Sequence, residues 1–159
     1  MLTDDQTSQV WDEMIAAKVR SLYFADLGAR YTRSKQIITG VSFFFSSGAA
    51  AAMIGKSPVW VSIVLSLFTA IATAYSMAVG LDRKAATMSK LHYAWSQMEA
   101  DYRQLWNHWY EEEAEDTFKD ILFRSREASQ LAITDAPYKI ALVNKWRTFV
   151  HQEYGITAA

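Results

Sequence analysis

Between Lys35 and Asp82 the chain contains a single charged residue, Lys56, which separates two apolar runs. The first run covers residues 36–55 and the second covers residues 58–81. An α-helix rises about 1.5 Å per residue and the hydrocarbon core of a bilayer is about 30 Å thick, so roughly 20 apolar residues span it. Both runs reach that length. The pattern therefore predicts an integral membrane helical hairpin of two transmembrane helices.

Basic residues flank the hairpin on the side of the two chain termini. They are Arg30, Arg33 and Lys35 before the first run and Arg83 and Lys84 after the second. Cationic flanks of short loops stay in the cytoplasm. We therefore expect a multi-pass protein of the cytoplasmic (inner) membrane, with both termini cytoplasmic and the short turn around Lys56 outside.

The segments on either side of the hairpin have the periodicity of amphipathic helices. In residues 1–35, either Thr3 with Gln6 or Thr7 can cap a helix, and apolar residues then recur every three or four positions. Residues 82–159 continue in the same way, and no segment alternates with period two over a strand's length. The expected fold class is all-α, with the cytoplasmic helices forming a bundle or stalk.

A row of bulky residues at heptad-like spacing follows the second apolar run. Its members are Met88, Leu91, Trp95, Met98, Tyr102, Leu105 and Trp109. Such a row is typical of a helix face packed against other helices. Two compatible interpretations are open. The helix packs on the N-terminal helix of its own chain, or it continues straight out of the membrane as an oligomerisation seam that joins copies of the chain into a homo-oligomer.

Small hydroxyl side chains recur at helical spacing within both apolar runs. They are Thr39, Ser42 and Ser46 in the first run and Ser62, Ser66, Thr69, Thr73 and Ser76 in the second. Small hydroxyl residues on one face let membrane helices approach closely and hydrogen-bond to one another. They can also line a water-filled path in an oligomeric pore. Helix packing and pore lining therefore both stay open for these residues.

Composition and motifs give little support to catalysis. The chain has no cysteine, which excludes disulfides and thiolate metal sites. Its histidines are far apart, and His108 has only Glu112 one turn away, which is too few ligands for a metal. No glycine-rich phosphate loop or nucleophile elbow occurs, and the net charge of −1 gives no general attraction for nucleic acid. We expect no enzyme, no cofactor, no bound metal and no nucleic-acid partner.

Residues around the two membrane borders carry a likeness to a known family. Ala29-Arg30-Tyr31-Thr32-Arg33 enters the first run, Leu81-Asp82-Arg83-Lys84-Ala85 leaves the second, and Tyr93 and Trp95 follow. With the short turn and the flanking helices, roughly residues 10–150 resemble the SLATT family, which consists of two-transmembrane effector proteins of bacterial conflict systems. The resemblance implies an oligomeric, pore-forming effector that permeabilises the membrane in anti-phage defence when a cytoplasmic nucleotide-signalling or sensor protein reports infection.

A different class of function fits the same sequence features. In this alternative the hairpin is a passive membrane anchor, and the cytoplasmic helices form a scaffold that holds a soluble partner. The lipid bilayer is a partner in both cases. The regions expected from the sequence are 1–35, an N-terminal cytoplasmic helix, 36–81, the hairpin, and 82–159, a cytoplasmic helical region.

Overall fold

The structure is a computed structural model that describes residues 1–55 and 58–156, with backbone alone at residues 49, 50 and 52–54. Lys56, expected at the hairpin turn, therefore lies outside the described residues. The described residues form helices and no β-strand, which confirms the all-α fold class. The helices are α1 (Asp4–Ile54), α2 (Val59–Val79), α3 (Leu81–Asn107), α4 (Ala114–Asp135) and α5 (Ile140–Glu153).

The chain divides into two compact units. One consists of Met1–Leu27 together with Ala86–Ala159, and the other is Gly28–Ala85. The N-terminal and C-terminal regions, which the sequence suggested as separate segments, thus belong to one unit. The apolar runs are an insertion between its first two helical segments. Helix α1 extends over 51 residues and contributes to both units without a break.

In the first unit, α3 packs antiparallel to the N-terminal part of α1. The Ser21 hydroxyl lies 3.0 Å from Nδ1 of His92, whereas the Trp11 and Trp106 ring centroids lie 5.1 Å apart. Moving forward along α3 therefore corresponds to moving backward along α1. At the far end of α3, the Leu2 N–H donates to the Trp109 carbonyl (3.0 Å), which fixes the N-terminus of the chain there.

Helix α5 also runs antiparallel to α1. Near its start, the Lys139 N–H donates to the Tyr23 hydroxyl (3.2 Å), which in turn donates to the Pro137 carbonyl. Beyond its end, the Tyr154 ring centroid lies 5.7 Å from that of Trp11. With α4 joined to α3 by an ion pair between Arg124 and Asp101 (2.8 Å), the unit is a four-helix bundle.

The bundle has two ends, which we name by their position. At the exit end lie Leu27 and Ala86, where the chain leaves the bundle, and the α4–α5 connection, as the Tyr23 contacts show. At the far end lie the N-terminus and the α3–α4 connection, as the Leu2–Trp109 hydrogen bond shows.

The bundle core is filled by large side chains from each of the four helical segments. The largest fully buried ones are Trp95, Tyr102, Met14, Leu27, Met88, Leu91, Met98, Ile121, Val10 and Val150. Fully burying an aliphatic or aromatic side chain of this size contributes about 1.5–3 kcal/mol relative to exposure. The Arg20 guanidinium covers the Trp95 ring at 4.4 Å from its centroid, which adds a cation–π contact at the core boundary.

Two helix ends show local sequence effects directly. The Gln6 N–H donates to the Thr3 hydroxyl (3.3 Å) and the Thr3 N–H donates to the Gln6 side chain (2.9 Å), so the expected capping pair is confirmed. The expectation of a straight helix leaving the second apolar run is wrong at Gly80. That residue has φ 61° and ψ 44° and ends α2, because glycine takes the left-handed conformation without a Cβ clash.

Burial of the Tyr102 hydroxyl makes the stability of the bundle decrease at alkaline pH. Burial raises the pKa of the Tyr102 hydroxyl to about 12 from 10.0, and Glu13 adds to the rise. Tyr102 then ionises at a lower pH in the unfolded chain than in the folded chain. The contribution of the neutral Tyr102 side chain to the free energy of unfolding is therefore complete below pH 10 and is lost between pH 10 and 12. We expect a loss of up to about 3 kcal/mol of unfolding free energy over this range. Thermal unfolding followed by circular dichroism measures it.

The matched control is Tyr102→Phe, which keeps the ring and removes the ionisable group. Because the Tyr102 oxygen is buried without a hydrogen bond of normal geometry, this variant should retain most of its stability at pH 7. Its melting temperature should fall less steeply above pH 10 than that of the unmodified chain. Parallel curves for the two proteins would refute the assignment.

Candidate functional site: the apolar hairpin

The second unit is built on two antiparallel helices, the C-terminal part of α1 and α2. The Phe45 and Phe68 ring centroids lie 4.6 Å apart, and a Cβ added to Gly48 would lie 3.8 Å from Cδ1 of Leu65. Three residues forward along α1 thus match three residues backward along α2. These contacts fix the register of the pair. At its open end Lys35 and Asp82 form an ion pair (2.5 Å).

Large apolar side chains cover the outside of this unit. Those exposed are Ile37, Val41, Phe43, Phe44, Val59, Trp60, Ile63, Val64, Leu67, Phe68, Ile71, Tyr75 and Met77. Contiguous apolar surface of this kind marks an interaction with a membrane or with other protein. Among the described residues, one helical stretch, Val59–Asn107, is long and apolar enough to cross a membrane, and none of its apolar window is buried. That the first run, residues 36–55, also crosses a membrane stays a prediction, and so does the two-span membrane hairpin.

The hydroxyl residues of α2 divide between two faces. Ser62 is buried and Thr69 and Ser76 are half-buried, on the same side as Leu65 and Ala72. In contrast, Ser66 and Thr73 are exposed. The stripe that the sequence suggested as one face is therefore split, because the packing face is rotated toward Leu65 and Ala72.

The first run shows the same division. Ile38, Ser42 and Phe45 are half-buried, whereas Thr39 and Ser46 are exposed. The Ser42 hydroxyl is buried and has no hydrogen-bond partner among the described residues. Its environment is one of helix packing, as is that of Ser62, Thr69 and Ser76.

The exposed hydroxyl residues lie along one side of the hairpin. In each helix they follow the packing face by about a quarter turn in the same rotational sense, at about 100° per residue. Because α2 runs opposite to α1, equal rotations point to the same side of the pair. The register set by Phe45 and Phe68 places Ser46 within one residue of the level of Ser66, and Thr39 within one of Thr73. We call Thr39, Ser46, Ser66 and Thr73 the hydroxyl edge.

Hydroxyls in this unit can be satisfied by their own helix. The Ser46 hydroxyl donates to the Ser42 carbonyl (2.8 Å) and the Thr69 hydroxyl donates to the Leu65 carbonyl (3.0 Å). Such bonds to the preceding turn reduce the cost of placing a hydroxyl in an apolar surrounding. They leave oxygen lone pairs available to water or to a second chain.

The membrane-proximal basic residues of the sequence analysis lie on the surface of this unit. Arg30, Arg33, Lys35, Arg83 and Lys84 are all exposed. They belong to the open end of the hairpin, on the turns of α1 and α3 next to the apolar runs. Exposed cations at this position match those that border membrane spans.

The structure places the proposed oligomerisation seam in the core of a single chain. Met88, Leu91, Trp95, Met98, Tyr102 and Leu105 are at most 4% exposed within the bundle, and only Trp109 of that row is exposed. Packing on helices of the same chain therefore accounts for the row. This corrects the interpretation as a seam between copies, because a second chain could reach these side chains only by unpacking the bundle.

Cavities lie between the helices of the bundle. A cavity of about 420 Å³ lies on it between α1 and α5 and includes Trp11, Arg20, Arg147 and His151 in its lining. A second, of about 430 Å³, lies between α3 and α4 and is lined largely by apolar side chains such as Met98. Among the described residues, no three histidine or acidic side chains are placed to hold a metal ion.

No protein-family model, curated protein or solved structure matches this chain. The comparisons therefore identify no family, and the resemblance to the SLATT family stays a prediction from the sequence.

Sequence reasoning missed the residues that pack the hairpin together. Leu65 and Ala72 of α2, with Ile38 and Phe45 of α1, form much of the contact face. The spacing of three and four residues fits this face and the hydroxyl stripe equally well. A row of small and branched apolar residues at this spacing would have indicated the contact face.

The register predicts a specific crosslink in this cysteine-free chain. With cysteines in place of Gly48 and Leu65, mild oxidation or a short bis-maleimide should join α1 and α2 within one chain, because the two side chains face each other. The matched control pairs Gly48→Cys with Ile63→Cys, which is exposed away from α1. Gel mobility after denaturation measures the crosslink. Equal yields from the two pairs would contradict the register.

Proposed function

We propose that this protein is a membrane effector whose hairpin inserts into the cytoplasmic membrane and associates with further copies to permeabilise it. The observation that carries the proposal is the apolar outer surface of the second unit, from Phe44 on α1 to Ile71 on α2. Two antiparallel helices can each cover only one face of the other. The remaining apolar surface is stabilised by lipid, which solvates it at no cost in ordered water.

The hydroxyl edge supports association of copies within the membrane. Thr39, Ser46, Ser66 and Thr73 are exposed on one hairpin, so in lipid their hydroxyls would face acyl chains. Placing these edges toward the centre of an oligomer satisfies the hydroxyls with one another or with water. The opposite side carries Val41, Phe68 and Tyr75, which suits contact with lipid. Assembly through the hairpin needs no seam on α3.

The resemblance to the SLATT family fits this proposal and supplies its biological setting. It places the protein in bacterial anti-phage defence, with a nucleotide-signalling or sensor protein in the cytoplasm as the partner that triggers opening. In this setting the protein is not an enzyme and needs no cofactor. The bundle transmits the partner's signal to the hairpin through α1, which runs unbroken from one unit into the other.

A passive membrane anchor is the second candidate. It is favoured by the largely apolar cavity between α3 and α4, whose lining includes the exposed Tyr93, since such a surface fits a soluble partner. The anchor and the effector share their topology. They differ in whether assembled protein leaks ions.

Cysteine labelling tests the topology. Lys56→Cys in intact cells should react with a membrane-impermeant maleimide, because the turn is expected outside, whereas Ser8→Cys should react only after lysis. Mass shift on gels measures the labelling. Reaction at Ser8 in intact cells would contradict the orientation, and reaction at neither site before or after lysis would point to a turn buried in protein.

Leakage of dye or ions from vesicles tests the role of the hydroxyl edge. Ser66→Leu with Thr73→Leu should lower leakage at least about tenfold, because bulky apolar side chains narrow and dewet a path lined by small hydroxyls. Membrane insertion should persist, since leucine favours it. The matched control is Ala74→Leu with Ala78→Leu, which adds the same side chain at exposed positions on another face and should leak like the unmodified protein.

A further pair separates the hydroxyl from its volume. Ser66→Ala with Thr73→Ala keeps the path wide and removes both hydroxyls, so leakage should fall less than with leucine. Unmodified protein that never leaks at high density, even with its sensor partner present, would favour the anchor.

A further inference from the structure

We infer that the α4–α5 corner, formed by Ile133, Tyr138, Lys139 and Ile140, is a lipid-contacting patch that docks the exit end of the bundle on the membrane surface. The inference rests on the proposed membrane insertion of the hairpin. It adds a second membrane contact, made by the bundle itself, at residues to which the sequence pattern assigned no function.

The first observation is the unusual exposure of this corner. Ile133, Tyr138 and Ile140 are 85%, 75% and 63% exposed, although they lie within eight residues of one another. Each helix of the bundle already contributes large buried residues to the core, so the core does not require these three side chains. Two isoleucines beside a tyrosine and a lysine form the mixture that settles at the boundary between headgroups and acyl chains.

The second observation is where the corner lies. Pro137 and Lys139 contact the Tyr23 hydroxyl, one turn before Leu27, where α1 leaves the bundle. From Leu27 to the first apolar run at residue 36, α1 rises only about 14 Å. The corner therefore lies at the end of the bundle from which α1 continues toward the first apolar run.

The third observation is an asymmetry of charge between the two ends of the bundle. The far end carries the acidic residues Asp4, Asp5, Glu111, Glu112, Glu113, Glu115 and Asp116. Glu115 accepts a hydrogen bond from Lys119 (2.8 Å), which lowers the pKa of that carboxyl and keeps it ionised. The corner itself has Lys139 exposed and Asp135 half-buried. An anionic membrane surface therefore repels the far end more strongly than the exit end.

Together these observations favour a lipid surface over a soluble protein as the occupant of the corner. A soluble partner would have to bind at the end of the bundle that is only about 14 Å of helix from the first apolar run. The docked corner would hold the start of α5 against the headgroups. Through the Tyr23 contacts it would steady α1 where that helix enters the membrane.

Depth-dependent fluorescence quenching tests this in the full chain. Single cysteines are placed at Thr134, beside the corner, at Phe123, near the middle of α4, at Glu112, at the far end, and at Phe44, in the hairpin. Each variant is labelled with a fluorophore and reconstituted in vesicles of phosphatidylcholine and phosphatidylglycerol that contain a headgroup nitroxide lipid or a deep acyl-chain nitroxide lipid. All four residues are exposed, so labels fit there without unpacking either unit.

The headgroup nitroxide should quench the Thr134 label at least about twofold, since an interfacial segment sits about 5–10 Å into the headgroup boundary. The Phe123 label, about 15 Å further along the helix axis, should be quenched less, and the Glu112 label should be unaffected. The deep nitroxide should quench the Phe44 label. Quenching at Phe44 with none at Thr134 overturns the docking alone, whereas no quenching at either site overturns the membrane hairpin as well. Equal quenching at Thr134, Phe123 and Glu112 also overturns the docking of the corner, because the whole bundle would then lie flat on the membrane.

A second variant separates docking from mere closeness along the chain. In the labelled Thr134→Cys protein, Ile133→Ser with Ile140→Ser should reduce quenching by at least about half, because the apolar contact is removed while the chain connection stays. The matched control, Ile133→Leu with Ile140→Leu, should keep it. Quenching that is the same in both variants would show that the corner is near the membrane without binding to it, and would overturn the inference.

Discussion

The hairpin cannot bury its own apolar surface, and the rest of the structure follows from that constraint. Two helices in contact cover one face each, so the rings of Phe44 and Trp60 and the side chain of Ile71 stay outside although Phe45 stacks on Phe68. In water such a surface is unfavourable at about 25 cal/mol for every Å² exposed. A bilayer or further copies of the chain would cover it.

The bundle, in contrast, buries large apolar side chains within a single chain. It closes a core around Trp95 and Tyr102 with helices of one chain, and its polar links, such as Arg124 with Asp101, join neighbouring helices at the surface. It needs no partner to satisfy its apolar residues. In the function proposed above, copies associate through the hairpin, where hydroxyl side chains are exposed among apolar ones. Under that proposal the two units divide the tasks of folding and of contacting the membrane.

Continuity of α1 is what joins these two tasks. The helix has its capping pair at Thr3 and Gln6, contributes Met14 and Leu27 to the bundle core, and then becomes half of the hairpin. In the return connection from the hairpin to the bundle, Gly80 takes the left-handed conformation and separates α2 from α3. Helix α1 thus runs unbroken from one unit into the other, whereas the return connection passes through a left-handed residue.

The sequence by itself determined the all-α class, the two apolar runs, the capping pair and the surface position of the basic flanks such as Arg33. Each of these depends on length, periodicity or charge within one segment, which are local properties. Only the tertiary structure decided that Leu91 and Met98 face their own chain, and that Ser62 packs while Ser66 is exposed. A spacing of three and four residues defines a stripe on a helix and says nothing about what covers it. A rotation of about 50° of the packing face, which no local pattern encodes, separated the buried hydroxyls from the exposed edge.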